Sequence, residues 1–459
     1  MNVETQTAAT EPHSLQRGIG VFQASTANML QMIGIGPFIT LPILLAAMPG
    51  PQALLGWVVA LFISVADGLV WAELGAAMPG VGGPYHYLKQ AYGPNSFGKL
   101  MAFVYIWETV LSAPLSIAGG AVGVSLYLKF YWPTMSLGSQ RMVAIAVCVI
   151  CTGLLYREIR SVGWLSVAMW VVVMFTFAWV VVAGLMHFHW ARVLDFPPTA
   201  FDFSRNWWVG LGGATLIAMY NYGGYSNVCL FGGEVKDPAR TIPKSIIFAI
   251  FAVGLLYIVM SVTIIGVVPW KEAMSSPYIV SEFIRRTYGG GAAILMTALI
   301  LWTGVASVFA TMLGYSRVPY AAAVDGQFFQ IFARLHPTKH FPSFSLLFLG
   351  VTTGLACLLS LNALIRSLLV IQIVTQYCAQ VVAVTMIRRY RKDIVRPFRM
   401  WLYPLPSLLA LVGWTWMLLG SGWSYIALGF GILGLGTIAY LFQSKQRKEW
   451  PFVGESSAA

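Results

Sequence analysis

Two acidic side chains, Glu108 in "YIWETVLSAP" and Asp67 in "SVADGLVWAEL", stand inside otherwise apolar stretches. A carboxyl at the centre of a bilayer-spanning helix costs about 2.5–3.5 kcal/mol on insertion scales, so each is a functional candidate by default. Glu108 can hold a substrate amine, carry a proton, or bond to a neighbouring hydroxyl such as Ser112. Asp67 lies a little under two turns before Glu73 and divides between a gate or coupling role and helix packing.

Two further stretches carry chemistry in the backbone. "MIGIGPFIT" (Met32–Thr40) and "AMYNYGGYSNVCLFGG" (Ala218–Gly233) place Gly34, Gly36 and Pro37, and then Gly223 and Gly224, inside apolar runs. Gly lowers helix stability by about 1 kcal/mol against Ala, and Pro by about 3. A segment built only to span would avoid both. An interrupted helix leaves amides free on one side of the break and carbonyls on the other, which survives at bilayer depth only around a cavity. The amides carry partial positive charge and suit a carboxylate, the carbonyls suit an ammonium, and glycine lets a ligand approach the backbone. Gly34, Ile35, Gly36 and Pro37 with Tyr222, Gly223, Gly224 and Tyr225 are therefore expected to form a site for a small zwitterion or cation. Tyr220 and Tyr222 flank the second break and are candidates for a lid. Ser307 and Thr311 share a helix face and could offer a sodium ion hydroxyl ligands against the first break. The alternatives are glycines used for helix packing and hydroxyls bonded back to their own helix.

The elements that must position these residues are apolar helices. The chain is 58% hydrophobic and 10% charged, with a mean hydropathy of +0.74, the composition of an all-α polytopic membrane protein. Runs long enough to cross a bilayer fall near 25–47, 54–78, 99–127, 140–156, 162–186, 207–232, 244–268, 292–323, 344–361, 364–387, 403–420 and 423–442, which predicts 12 spans. With the N-terminus inside, 20 Lys and Arg fall in cytoplasmic segments and 8 outside, so both termini are expected in the cytoplasm. The net charge of +12 reports topology here, not a nucleic-acid partner. The polar N-terminus lacks the h-region of a cleaved signal peptide. The two breaks are five spans apart, and an odd repeat is inverted in the membrane. Interrupted helices at matching positions of two halves point to a transporter binding site.

Three signatures, "AELGAAMPGVGGPYHYLKQAYG" (Ala72–Gly93), "GGEVKDPARTIPKSI" (Gly232–Ile246) and "SRVPYAAAVDGQFF" (Ser316–Phe329), resemble those of the amino acid–polyamine–organocation (APC) superfamily. The resemblance covers nearly the whole chain. It implies the leucine-transporter fold, a 5+5 inverted repeat with broken helices 1 and 6 plus two further helices. "GPF" at Gly36–Phe38, Asp67 before "AEL", and "SVGW" at Ser161–Trp164 are similar to the branch of polyamine and amino-acid permeases. The chain departs from several amino-acid-transporting relatives near Gly163, where they carry a lysine that stands in for a bound cation.

These readings predict a cytoplasmic tail over 1–24, a first repeat over 25–187, an extracytoplasmic loop over 188–206, a second repeat over 207–387, a basic cytoplasmic loop over 388–402, two helices over 403–442 and a cytoplasmic tail over 443–459. The expected function is secondary active transport of amino acids or polyamines across a plasma membrane of bacterial inner-membrane type, coupled to a proton or sodium ion or run as exchange. Glu73, Glu234, Lys236, Arg240, Arg317 and Asp325 border the cytoplasm and are expected to gate rather than to bind substrate; the alternative for Glu73 and Glu234 is a cap or a pair with basic loop residues. No cofactor or metal site is expected: Cys148 and Cys151 have CxxC spacing on a lipid-depth helix, and His187 and His189 sit in a loop without further ligands. Walker A, GxSxG and HExxH patterns are absent from the sequence, as is the His, Asp or Cys cluster a membrane enzyme would need at one face. A channel is disfavoured because paired breaks in a closed apolar surround argue for occlusion.

Overall fold

A computed structural model describes residues 19–80, 82–156, 159–230, 232–337 and 341–452, and the side chains of these except 157–168 and Glu234. The signature residues Ser161–Trp164, Gly163 among them, and the Glu234 carboxylate thus lie outside the described side chains. The described residues are helical apart from turns and one isolated bridge between Ile19 and Val235.

Helices of eight residues or more are numbered in chain order. The first expected span is two helices, α1 (Val21–Met32) and α2 (Gly36–Ala47), bent by 50° at the break. The cause is local: Ile33 is extended, and Pro37 fits the first turn of a new helix because its missing N–H would have no partner there. Pro42 inside α2 cannot donate to the Phe38 carbonyl four residues back, and the Tyr127 hydroxyl donates to it instead at 2.8 Å. The Tyr257 hydroxyl likewise donates to the Met32 carbonyl at the end of α1, at 2.7 Å. Each broken backbone group named here has a buried phenol as its partner.

α3 (Leu55–Ala77), the short α4 (Pro84–Ala91), α5 (Phe97–Leu128), α6 (Leu137–Leu155) and α7 (Ile159–Met186) follow. α8 (Arg205–Tyr222) stops at the second glycine pair. Gly224 there has φ +113°, and a side chain at that position would also run into Gln31 of α1. The chain then passes through 3₁₀ turns at Asn227–Leu230 and Gly232–Glu234 to α9 (Pro238–Val267). The expected run over 207–232 is therefore helical only to Tyr222. α10 (Ile279–Tyr288), α11 (Gly290–Tyr315), α12 (Arg317–Val324), α13 (Ser343–Ala356) and α14 (Leu361–Gln372) come next. A π-helical turn at Ile373–Cys378 joins α14 to α15 (Ala379–Tyr390), and α16 (Leu405–Gly420) and α17 (Trp423–Arg447) end the fold.

Among the described residues, eight helical spans are long and apolar enough to cross a membrane, or nine with the bent α1–α2 pair. α13 and α16 are apolar but shorter. The helices form two groups. α3 lies between α8 and α9, with α1 on α9 and α2 on α8. α5, about 48 Å long at 1.5 Å per residue, is the axis of the second group, and α6, α11, α13 and α14 pack on it. α7 touches both groups through α9 and α11.

One end of the molecule carries Lys89 and Lys99 around α4 and the arginine-rich segment after α15; we refer to it as the basic end. There the buried Glu73 carboxylate at the end of α3 accepts two hydrogen bonds from Arg388, at 2.8 and 2.5 Å, and one from the Met400 amide at 2.8 Å. Arg396 stands 3.8 Å away. Removing one partner of such a pair strands a charge out of water, which costs on the order of 3 kcal/mol. Glu73→Gln is expected to lower the unfolding temperature in detergent by several degrees. Lys99→Gln, which breaks a half-exposed pair with Glu449, should shift it little. Equal shifts in the two variants would refute the assignment of Glu73 as the stabilising lock.

Candidate functional site

The two breaks face one another across a cleft. Gly34, Ile35 and Gly36 form one side, and Tyr220, Asn221, Gly223 and Gly224 the other. The far wall is Tyr105, Thr109 and Ser116 of α5, Ser307 and Thr311 of α11, and Gln372, Gln376 and Tyr377 at the π-helical turn. Trp71, Pro84 and Val318 extend the cleft toward the basic end. On the opposite side the buried rings of Phe38, Trp57, Phe177, Tyr222 and Tyr257 pack together, with centroid separations of 4.6 to 6.3 Å. This aromatic cluster lies behind the cleft lining, next in sequence to Asn221 and Gly223 through Tyr222.

Asn221 supplies the side-chain chemistry that the glycines lack. Its Nδ2 donates to the Thr40 hydroxyl at 2.9 Å and to the Ile217 carbonyl at 2.8 Å, which uses both of its hydrogens. The carbonyl partner fixes which end of the amide is nitrogen. Oδ1 is left buried without a partner, and it lies so close to Gly36 that any Cβ there would strike it. A fixed acceptor therefore stands beside the start of α2, where Pro37 has no N–H and the Phe38 amide donates to the Ile35 carbonyl at 3.1 Å, which leaves the Gly36 amide as the donor without a backbone partner. An acceptor beside a free donor can take the ammonium and the carboxylate of one zwitterion. Trp71, whose indole faces the Asp67 carboxyl, also lies on the cleft wall.

The expected site residues divide into three sets. Gly34, Ile35, Gly36, Tyr220, Gly223, Gly224, Ser307 and Thr311 line the cleft, and the Ser307 side chain is pressed against Gly34. Pro37, Tyr222, Tyr225 and Glu108 do not line it. Tyr222 sits in the aromatic cluster, its hydroxyl 3.3 Å from the Trp57 carbonyl. Tyr225 donates to Asp67 at 2.5 Å, and Trp414 of α16 donates to the other oxygen of the same carboxyl at 3.2 Å. Asp67 therefore ties the turn after the second break to α3 and α16. Glu108 is fully buried one residue from the cleft-lining Thr109, with the Ser112 and Thr375 hydroxyls beside its carboxyl. The third set stays at the basic end, away from the cleft: Glu73 with its arginines, Arg317 bonded to the Leu313 carbonyl at 2.8 Å, and Asp325, which accepts from Tyr85. Sequence reasoning passed over Asn221, Trp71, Thr109, Gln372 and Gln376. A polar Asn two residues before a glycine pair in an apolar run was the available signal for Asn221; the glutamines converge only through the fold.

A ligand cleft between two broken helices, in a bundle with eight or nine apolar spans, defines a multi-pass membrane protein that handles a small molecule. The amino acid permease profile matches residues 19–446, and the chain belongs to that family, within the APC superfamily. It is 29% identical over 434 residues to an uncharacterized transporter of Mycobacterium tuberculosis, covering 94% of this chain and 92% of that one. It is 25% identical to a branched-chain amino acid permease of Bacillus subtilis, with 96% of each covered. Identity to the cationic amino acid transporter 4 of Mus musculus is 25%, over 77% of this chain and 57% of the relative.

The Asn221 geometry gives a direct test. A hydrogen bond to a charged group contributes about 1.5–3 kcal/mol, so Asn221→Ala is expected to weaken amino-acid binding by about tenfold or more. A ligand-induced shift in unfolding temperature, titrated on purified protein, measures it. Unchanged ligand affinity in a well-folded variant would remove Asn221 from the site.

Proposed function

We propose that this chain is a secondary active permease for amino acids in a plasma membrane of bacterial inner-membrane type, working by alternating access around the cleft. The observation that carries the reading is the unpartnered Asn221 oxygen standing at Gly36, whose amide at the start of α2 has no backbone partner. A zwitterion satisfies both groups, whereas a polyamine brings no carboxylate to the amide, so amino acids stand ahead of polyamines. The family and its transporter relatives support transport over catalysis.

The architecture proposed is 12 spans with repeats over 25–187 and 207–387 and both termini in the cytoplasm. α13, α16 and the less apolar α8 would complete the count with the nine. The helix grouping supports it: the interrupted helices and their partners α3 and α9 would rock against the α5-centred group. With the basic end cytoplasmic, the aromatic packing would close the outer end of the cleft, while the contacts of Glu73 and Asp325 at the inner end are also engaged. Glu73, Glu234, Arg317 and Asp325 then belong to the inner gate, where neutralising Glu234 should lower turnover more than ligand affinity. Coupling to a proton, with Glu108 as carrier, or exchange of one amino acid for another, would drive the cycle.

Counterflow in proteoliposomes tests the function. Saturable accumulation of labelled amino acid, driven by unlabelled amino acid inside and abolished by Gly36→Leu, is expected. Non-saturating flux would indicate a channel, and the absence of flux for every amino acid, with polyamines transported, would overturn the substrate reading.

A further inference from the structure

The segment joining α15 to α16 has two faces. Arg388, Arg396 and the Met400 amide converge on the Glu73 carboxylate, and the Tyr403 ring lies under the Arg388 guanidinium at 3.8 Å. Arg391 is bound to Asp393 and to the Gln90 carbonyl of α4. This inner face has its partners. The residues between these anchors point outward. Arg389, Lys392 and Arg399 are exposed. Lys392 and Arg399 have no ion-pair or hydrogen-bond partner among the described residues, and Arg389 has only the neighbouring Tyr390 ring, at 5.4 Å.

The apolar residues of the same outward face are exposed as well: Tyr390 at 66%, Val395 at 78%, Trp401 at 60% and Leu402 at 78%. In water this would be a poorly solvated loop. At the end of a membrane-spanning bundle it is the composition of an interface, with apolar and aromatic side chains entering the acyl boundary and cations held at phosphate level. We propose that residues 389–402 bind the phosphate headgroups of anionic phospholipids through Arg389, Lys392 and Arg399, with Val395, Trp401 and Leu402 seated in the adjoining acyl region. Bound lipid holds the outward face in place, and through Arg388, Arg396 and Met400 it steadies the lock on Glu73. The shared ligand chemistry is a phosphate anion, and the apolar anchors assign it to a lipid and not to free phosphate.

The test uses the full chain purified in a neutral detergent. Dioctanoyl phosphatidylglycerol is expected to raise the unfolding temperature by several degrees, and dioctanoyl phosphatidylcholine or inorganic phosphate at the same concentration should do so much less. Lys392→Gln with Arg399→Gln should weaken the phosphatidylglycerol effect about fivefold per cation removed. Arg141→Gln, at the opposite end of the bundle, should leave it unchanged. The single substitutions Lys392→Gln and Arg399→Gln serve where the double variant is unstable without lipid. Equal stabilisation by phosphatidylcholine, equal stabilisation by inorganic phosphate, or full retention of the effect in the variants would each overturn the proposal.

Discussion

Gly36→Leu is expected to abolish amino-acid uptake while the protein still inserts, folds and reaches its usual abundance. Even the first carbon of a side chain at Gly36 would collide with Asn221 Oδ1 and come within 3.7 Å of the Tyr220 ring. The Asn221 amide cannot retreat without breaking its bonds to Thr40 and Ile217. The branched side chain of leucine would project into the cleft and crowd the amide of residue 36, which is to hold a carboxylate. The change adds no polar burden, so insertion into the bilayer should be unaffected. Gly153→Leu is the matched control, because a Cβ there meets nothing within 4 Å. Uptake of labelled amino acid by whole cells, normalised to surface expression, should fall to background for Gly36→Leu and stay near wild type for Gly153→Leu. Normal transport by the first variant would mean that the break does not contact the ligand.

The interruptions themselves were legible in the sequence because their cause is covalent. A glycine with φ +113° at 224 and a proline without an N–H at 37 restrict the backbone whatever surrounds them. The apolar runs were legible for a similar reason, since the bilayer selects for length and composition residue by residue. For the acids the sequence offered the kind of partner, a hydroxyl near Glu108 and a basic loop residue for Glu73, but not which distant residue it would be. Asp67 meets Tyr225 and Trp414 across 158 and 347 positions of chain, and Glu73 meets Arg388 across 315. No local pattern encodes contacts at that separation. The same holds for the glutamines at the π-helical turn: helical periodicity places Gln372 and Gln376 on one face, but only the packing of α14 against α5 turns that face to the cleft. α4 was hidden differently. Its eight residues are too short and too polar for the hydropathy of a span, although Pro84 at its start lines the cleft.

The Glu108 carboxyl is the group whose removal should be most informative about substrate and coupling together. It is buried beside the Ser112 and Thr375 hydroxyls, at a π-helical turn that borders the cleft. Such turns recur at functional sites, and a carboxyl at bilayer depth is a functional candidate by default. Thr109, its neighbour, is on the cleft wall, so a small movement of α5 or of the turn brings the carboxyl to a ligand side chain. At an effective dielectric of about 20, a carboxylate about 4 Å from an ammonium contributes on the order of 4 kcal/mol before desolvation is subtracted. Glu108→Gln keeps the shape and removes the charge. It is expected to weaken lysine and arginine by about tenfold or more while leaving leucine unchanged, as measured by competition against a common labelled substrate. A carboxyl that carries the coupling proton gives a different result: uptake of every substrate loses its pH dependence in the variant, and exchange survives because it needs no net proton movement. Wild-type affinity, selectivity and pH profile in Glu108→Gln would leave the residue a structural one, with no part in substrate choice or coupling.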